Sequence, residues 1–96
     1  MKTIFKWDSN KAASNLRKHG VSFEAAAQVF EDPFCLSIQD RIENGEERWQ
    51  TIGMSGGCTL LLVAHTVHFK GVEIIRIISA RRARAKERKS YERGYL

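Results

Sequence analysis

The run from Glu73 to Tyr95 constrains this chain more than any other stretch. Glu73, Ile74, Ile75, Arg76, Ile77 and Ile78 are β-branched and apolar apart from two charges, which reads as a buried strand. Ser79 and Ala80 lead from there into Arg81, Arg82, Ala83, Arg84, Ala85, Lys86, Glu87, Arg88, Lys89, Ser90, Tyr91, Glu92 and Arg93, a basic run rich in helix formers. Ser79 is expected to cap that helix, its hydroxyl accepting a free amide of the first turn. A strand feeding directly into a cationic helix holds guanidinium groups on a rigid base, which suits a polyanion better than a small neutral substrate.

The charge is confined to this region. Residues 81–93 carry seven Lys and Arg against two Glu, and the remaining positions balance at nine against nine, so the whole net charge of +5 lies on the last predicted helix. With 96 residues the chain is expected to form one domain, 1–96, around one modest core. No stretch approaches the roughly 18 apolar residues of a membrane span. Lys6, Asp8 and Lys11 break up the start, where a secretion signal needs an apolar run. The reading is a cytoplasmic protein without membrane contact. Cys35 and Cys58 lack a CxxC spacing and are expected as reduced thiols.

The rest of the chain supplies a sheet and two helices. Thr3 to Trp7 reads as a short first strand. Asp8 is placed to cap a helix reaching His19, with Gly20 at the position that favours a left-handed backbone; Ala12, Leu16 and His19 share one face of it, Lys11, Asn15 and Lys18 another. Ser22 caps a second helix with Phe23, Ala26, Ala27 and Phe30 on its apolar side, ending near Asp32 before Pro33. Four strands follow: Phe34 to Gln39, Arg48 to Met54, Thr59 to about Val67, and the strand from Glu73. The turns between them are short, so the four form an antiparallel meander. The fold class is α+β, with the two N-terminal helices on one face and the basic helix last. Both faces of the last two strands are apolar, which leaves part of one face for a second chain to cover.

Several chemistries find no support. His65 and His68 are three apart on a strand and leave opposite faces, so no metal site is expected, and no cofactor. There is no GxSxG elbow, and Gly56 and Gly57 belong to a hairpin turn rather than to a phosphate loop. The basic helix offers more: Arg81, Arg84 and Arg88 fall on one helical stripe, and Arg76 lies just upstream inside an apolar strand, where it needs an anion or a carboxylate. Lys11 and Lys18 could extend a cationic rim. His65 is a strand histidine that either titrates or is a satisfied inward side chain. From the residues alone, a catalyst acting on nucleic acid, a nucleic-acid-binding module without catalysis and a regulatory subunit docking an acidic partner all stay open.

Phe5, Trp7, Asp8, Lys11, Asn15 and the run Lys18, His19, Gly20, Val21, Ser22, Phe23 resemble the N-terminal signature of the BrnT toxins of type II toxin–antitoxin modules, as do Glu47, Arg48, Thr51, Ile52 and Gly53. The resemblance continues through Ile75, Arg76, Ile77, Ile78, Ser79, Ala80 and Arg81 to Glu87 and Tyr91, and so spans nearly the whole chain. It implies a RelE-like fold and an endoribonuclease that halts translation by metal-independent attack of a ribose 2′-oxygen on the adjacent phosphate. It also implies a BrnA-like antitoxin of the ribbon–helix–helix type, with operator DNA bound only through that antitoxin. On this reading Arg76 and Arg81 meet the phosphate. His65, Glu87, Tyr91 and Lys18 are the candidates for base and acid, and Lys11, Lys18, Arg48, Arg84 and Arg88 contact the RNA.

Overall fold

Three tight turns fold residues 36–82 into a continuous meander. The computed structural model describes residues 2–95, in the order β1 (Thr3–Lys6), α1 (Ser9–His19), α2 (Phe23–Gln28), β2 (Leu36–Glu43), β3 (Glu46–Ser55), β4 (Thr59–Phe69), β5 (Glu73–Arg82) and α3 (Ala85–Arg93), with a 3-10 turn at Val29–Glu31. Asn44 (φ 53°) and Gly45 (φ 77°) are both left-handed, the geometry that joins twisted antiparallel strands with two residues. The sheet order is β1-β5-β4-β3-β2, with β1 alone parallel to its neighbour. The first strand thus lies beside the last, in a mixed five-stranded sheet.

Local chemistry sets the helices. The Asp8 carboxylate accepts the amides of Asn10 and Lys11 at 2.8 and 3.1 Å and starts α1; Gly20 ends it at φ 69°. Ser22 accepts the Ala25 amide at 3.0 Å and starts α2. Val21, Phe23, Ala26 and Val29 are buried against Leu61, Val63, Ile75, Ile77 and Ala80 on one face of the sheet, the covered face. The 3-10 turn rests on β3 at Gly53, where a Cβ would come 2.9 Å from Val29 Cγ1 and 3.0 Å from Cys35 Cβ. A smaller cluster on the other face joins Ile52, Leu60 and Leu62 to Leu36, Met54, Ala83 and Tyr91, so α3 covers only one end of that face. The remainder of it is open.

Several boundaries differ from expectation, and two of them change where charged side chains stand. β5 runs through Arg82, so Ser79 is a strand residue and not a helix cap; its neighbours Ala80, Arg81 and Arg82 pair with Val63, Leu62 and Leu61. The backbone ladder offered by β4 outweighs the local helix propensity of the arginine run. Arg81 therefore stands on a strand, Arg84 at the entrance of α3 and Arg88 inside it, and the three form no helical stripe. β2 also extends to Glu43 rather than ending at Gln39, because the Asn44–Gly45 turn lets Glu43 pair with Glu46.

Candidate active site

One extra residue decides which side chains meet on the open face. In the β4–β5 ladder Ala64 faces Ser79, but His65 faces Ile77, which leaves Ile78 in a bulge. Strict alternation from Arg76 would send Arg81 to the covered face. The bulge resets the count, so Arg76, Ser79 and Arg81 stand together opposite Thr66, Ala64 and Leu62.

Arg81 is held rather than free. Its two terminal nitrogens donate to the two oxygens of Glu87 at 2.8 and 2.7 Å, a bidentate fork, and one of them also donates to the Arg82 carbonyl at 3.2 Å. The same carboxylate accepts the Arg84 amide at 2.8 Å and so begins α3. The Arg81 bond, reinforced by that amide, holds Glu87 below the usual carboxylate range despite partial burial, and Glu87 raises Arg81 in return. Each therefore favours the charged form of the other.

The other wall comes from α1. Beyond the end of β1, the edge of β5 is closed by a side chain: Asn15 donates to the Ala80 carbonyl at 2.9 Å and accepts the Ala80 amide at 3.1 Å, as a neighbouring strand would. Asn15 also donates to the Val21 carbonyl at 2.9 Å, which ties the end of α1 to the turn after it. Pinned this way, Lys18 and His19 line a cleft of about 380 Å³ with Gln50, Leu62, Ala64, Ser79, Ala80, Arg81 and Arg84. The cleft joins three cations to an imidazole over a floor of small side chains. A phosphodiester placed there meets fixed positive charge and an imidazole whose nitrogens can accept or donate a proton.

The expected residues separate into four groups. Lys18, Arg81 and Arg84 line the cleft, and Arg76 and Arg48 stand on the same sheet face, on opposite sides of Thr66. Glu87 and Tyr91 are engaged by other side chains. Glu87 grips Arg81, and the Tyr91 hydroxyl donates to Asp32 at 2.6 Å, which pushes its pKa up to about 12. His65 lies on the covered face, 2% exposed, with Nε2 2.7 Å from the Thr51 hydroxyl and its ring edge against Phe30; burial lowers its pKa. Lys11 and Arg88 are exposed and outside the cleft. Sequence reasoning passed over His19, Gln50 and Ser79. The available signal for His19 was its position at the helix end, directly before the left-handed glycine. Among the described residues no group of three or more His, Cys, Asp or Glu stands placed to hold a metal ion.

The family model for the ribonuclease toxin BrnT of type II toxin–antitoxin systems matches residues 7–87, from the end of β1 to the carboxylate that grips Arg81. The chain belongs to the BrnT toxin family. Its activity is that of an RNA-cleaving toxin, an endoribonuclease, and its system includes a cognate antitoxin. The fold is similar to the crystal structure of the Brucella abortus ribonuclease toxin BrnT, with a TM-score of 0.64 at 23% identity over 88% of this chain and 99% of that one. No curated protein matches the chain. No helix among the described residues is long and apolar enough to cross a membrane. The BrnT match reaches every residue that lines the cleft, Lys18 and His19 at one wall and Arg81 and Arg84 at the other.

Proposed function

We propose that the cleft between α1, β5 and the start of α3 is where this BrnT toxin cuts RNA. The ribose 2′-oxygen attacks the adjacent phosphorus while the bond to the leaving 5′-oxygen breaks. The 2′-hydroxyl proton goes to a base, and an acid protonates the departing oxygen. Arg81, Lys18 and Arg84 hold the non-bridging oxygens, on which charge accumulates. His19 takes the 2′-hydroxyl proton as base through the lone pair of its imidazole, and a water molecule protonates the departing 5′-oxygen. These groups supply every role without a metal ion. Arg76 supports the phosphate from the same face, while His65, Glu87 and Tyr91 have no proton-transfer role. Glu87 is instead a positioning residue for Arg81.

The observation that carries this reading is the Arg81–Glu87 fork at the mouth of a cleft lined by Lys18, His19 and Arg84. It is consistent with a RelE-like architecture, with work in the cytoplasm on messenger RNA, and with translation arrest. The antitoxin on this reading is a BrnA-like ribbon–helix–helix protein that binds operator DNA and lays a segment over the open face, an acidic side chain meeting Arg76 or Arg81. The test is incubation of the purified chain with a structured RNA, in chelator, beside an Arg81→Ala variant. Discrete fragments ending in 2′,3′-cyclic phosphate are expected from the parent only. Equal cleavage by the folded variant would remove Arg81 from the site.

A further inference from the structure

The open face carries a second feature that sequence order conceals. Lys6 lies beside Arg76, Arg76 beside Thr66, Thr66 beside Arg48 and Arg48 beside Arg41, so residues from all five strands fall in one row across the sheet. Four of the five are cations. The row spans four inter-strand spacings of ~4.8 Å each, about 19 Å.

Like charges set side by side on neighbouring strands repel, and the protein does little to relieve them at one end. Arg41 is met by Asp40 at 3.2 Å and Glu43 at 3.0 Å. Among the described residues, Lys6 and Arg76 have no carboxylate partner. The acidic group whose field reaches Arg76 is Asp8, and its Oδ1 is occupied by the amides that start α1. Between them, Arg48 Nε and the Thr66 hydroxyl are buried without any hydrogen-bond partner, and the nearest carboxylate oxygen to Arg48 Nε, on Glu43, is 3.7 Å away. Exposed cations without a carboxylate at Lys6 and Arg76, continued by an Arg48 only loosely paired to Glu43, mark a surface built to receive an anion.

The neighbouring row identifies the anion. Ser79, Ala64 and Gln50 lie between this row and the Arg81 row, a floor of short side chains continuous with the cleft. A protein partner takes its energy from apolar and aromatic anchors seated in pockets; along this row the exposed apolar side chain is Ile38, beside Gln50 at the outer end, away from the Lys6–Arg76 pair. A single nucleic-acid strand needs a groove with charge along its rim.

We propose that Lys6, Arg76 and Arg48 form a track for the phosphates of single-stranded RNA that extend from the scissile bond across the sheet, with Thr66 buried beneath it. This inference rests on the cleft being where RNA is cut. Lys6 acquires a role it lacks in any reading of the cleft alone. The track selects an extended strand over a duplex, and it reads backbone rather than base.

The test separates holding from cutting. Binding is measured with a 2′-O-methyl octanucleotide, which cannot be cleaved, to the parent and to K6Q, R48Q and the charge-reversed K6E/R48E, each checked for folding by thermal melting. Each neutralised cation is expected to weaken binding about tenfold and to flatten the salt slope by ~0.7. In cleavage, the KM advantage of an all-ribose octanucleotide over a dinucleotide shrinks in the variants, and the loss falls on KM rather than kcat. The binding measurement needs no turnover, so it judges the track even where a failed cleavage assay would sink the reading of the cleft. Folded K6E/R48E that binds the octanucleotide with the parent's affinity and salt slope overturns the track. Loss of antitoxin binding with RNA binding retained also overturns it, because the row would then serve a protein.

Discussion

A free arginine on a strand samples many rotamers; two parallel bonds from Glu87 remove that freedom from Arg81 before any phosphate arrives. Arg81→Ala is expected to cost about 2.7–4 kcal/mol of barrier, on the order of a hundredfold to a thousandfold in kcat. Single-turnover cleavage at saturating RNA measures this, and a loss of only a few-fold would show that Arg81 does not meet the developing charge. Asn15 is a second residue with more than one duty. Asn15→Ala leaves the Ala80 amide and carbonyl without partners at a buried edge and should lower stability by about 2–3 kcal/mol; urea unfolding reads it, and an unchanged midpoint would mean water replaces the amide. Titration adds two limbs. The Arg81 fork, opposed by burial, keeps Glu87 lower in the folded chain than in the unfolded one, so its contribution is complete at neutral pH and is lost as pH falls through the carboxylate range. Tyr91 runs the other way, being raised by its bond to Asp32. Its contribution is complete below the ordinary value of 10.0 and fades as pH climbs towards about 12. Melting temperature against pH should show both losses, and Tyr91→Phe should abolish the alkaline one.

At the scale of elements, the meander, the order of strands and helices and the caps at Asp8, Gly20 and Ser22 were legible, because period, turn chemistry and capping are local properties of the chain. The parallel pairing of β1 with β5 was not, since it depends on residues seventy positions apart. Nor was the bulge at Ile78, whose flanking residues read as uninterrupted strand. The site suffered from the same blindness. Arg81 and Lys18 could be picked out as cations, but a helix drawn through residues 81–88 placed Arg81 wrongly, and His65 attracted notice because a strand histidine is conspicuous in a sequence. His19 owes its place to the grip of Asn15 on β5, a contact that no spacing announces. The packing of α2 onto the sheet offers a test at this scale. In Gly53→Ala the new methyl would crowd the Val29 side chain at 2.9 Å and the Val29 carbonyl at 3.1 Å. A destabilisation of about 1–3 kcal/mol is expected from overpacking, and thermal melting at the parent's temperature would show that the 3-10 turn gives way freely.

Taken whole, the molecule divides its labour between two faces: one buries Phe23, Val63 and Ile77 against the N-terminal helices, and the other presents cations over an incompletely covered sheet. Expressed without its antitoxin the chain should arrest growth, and folded R76A/R81A should not; arrest by that variant would place the toxic site elsewhere. In the antitoxin complex, hydrogen exchange should slow within residues 73–91, whereas protection confined to α1 and α2 would put the antitoxin on the back of the molecule. The pairing of the first strand with the last has a further effect on timing. Thr3–Lys6 has no hydrogen-bonded neighbour until Glu73–Arg76 has been synthesised, and Glu87, which holds Arg81, comes later still. Contacts this distant along a chain form late and slowly. A nascent chain stopped at Val72 should therefore be unfolded and harmless in the same growth assay. The charged face is thus assembled only once Glu87 has been made and has gripped Arg81.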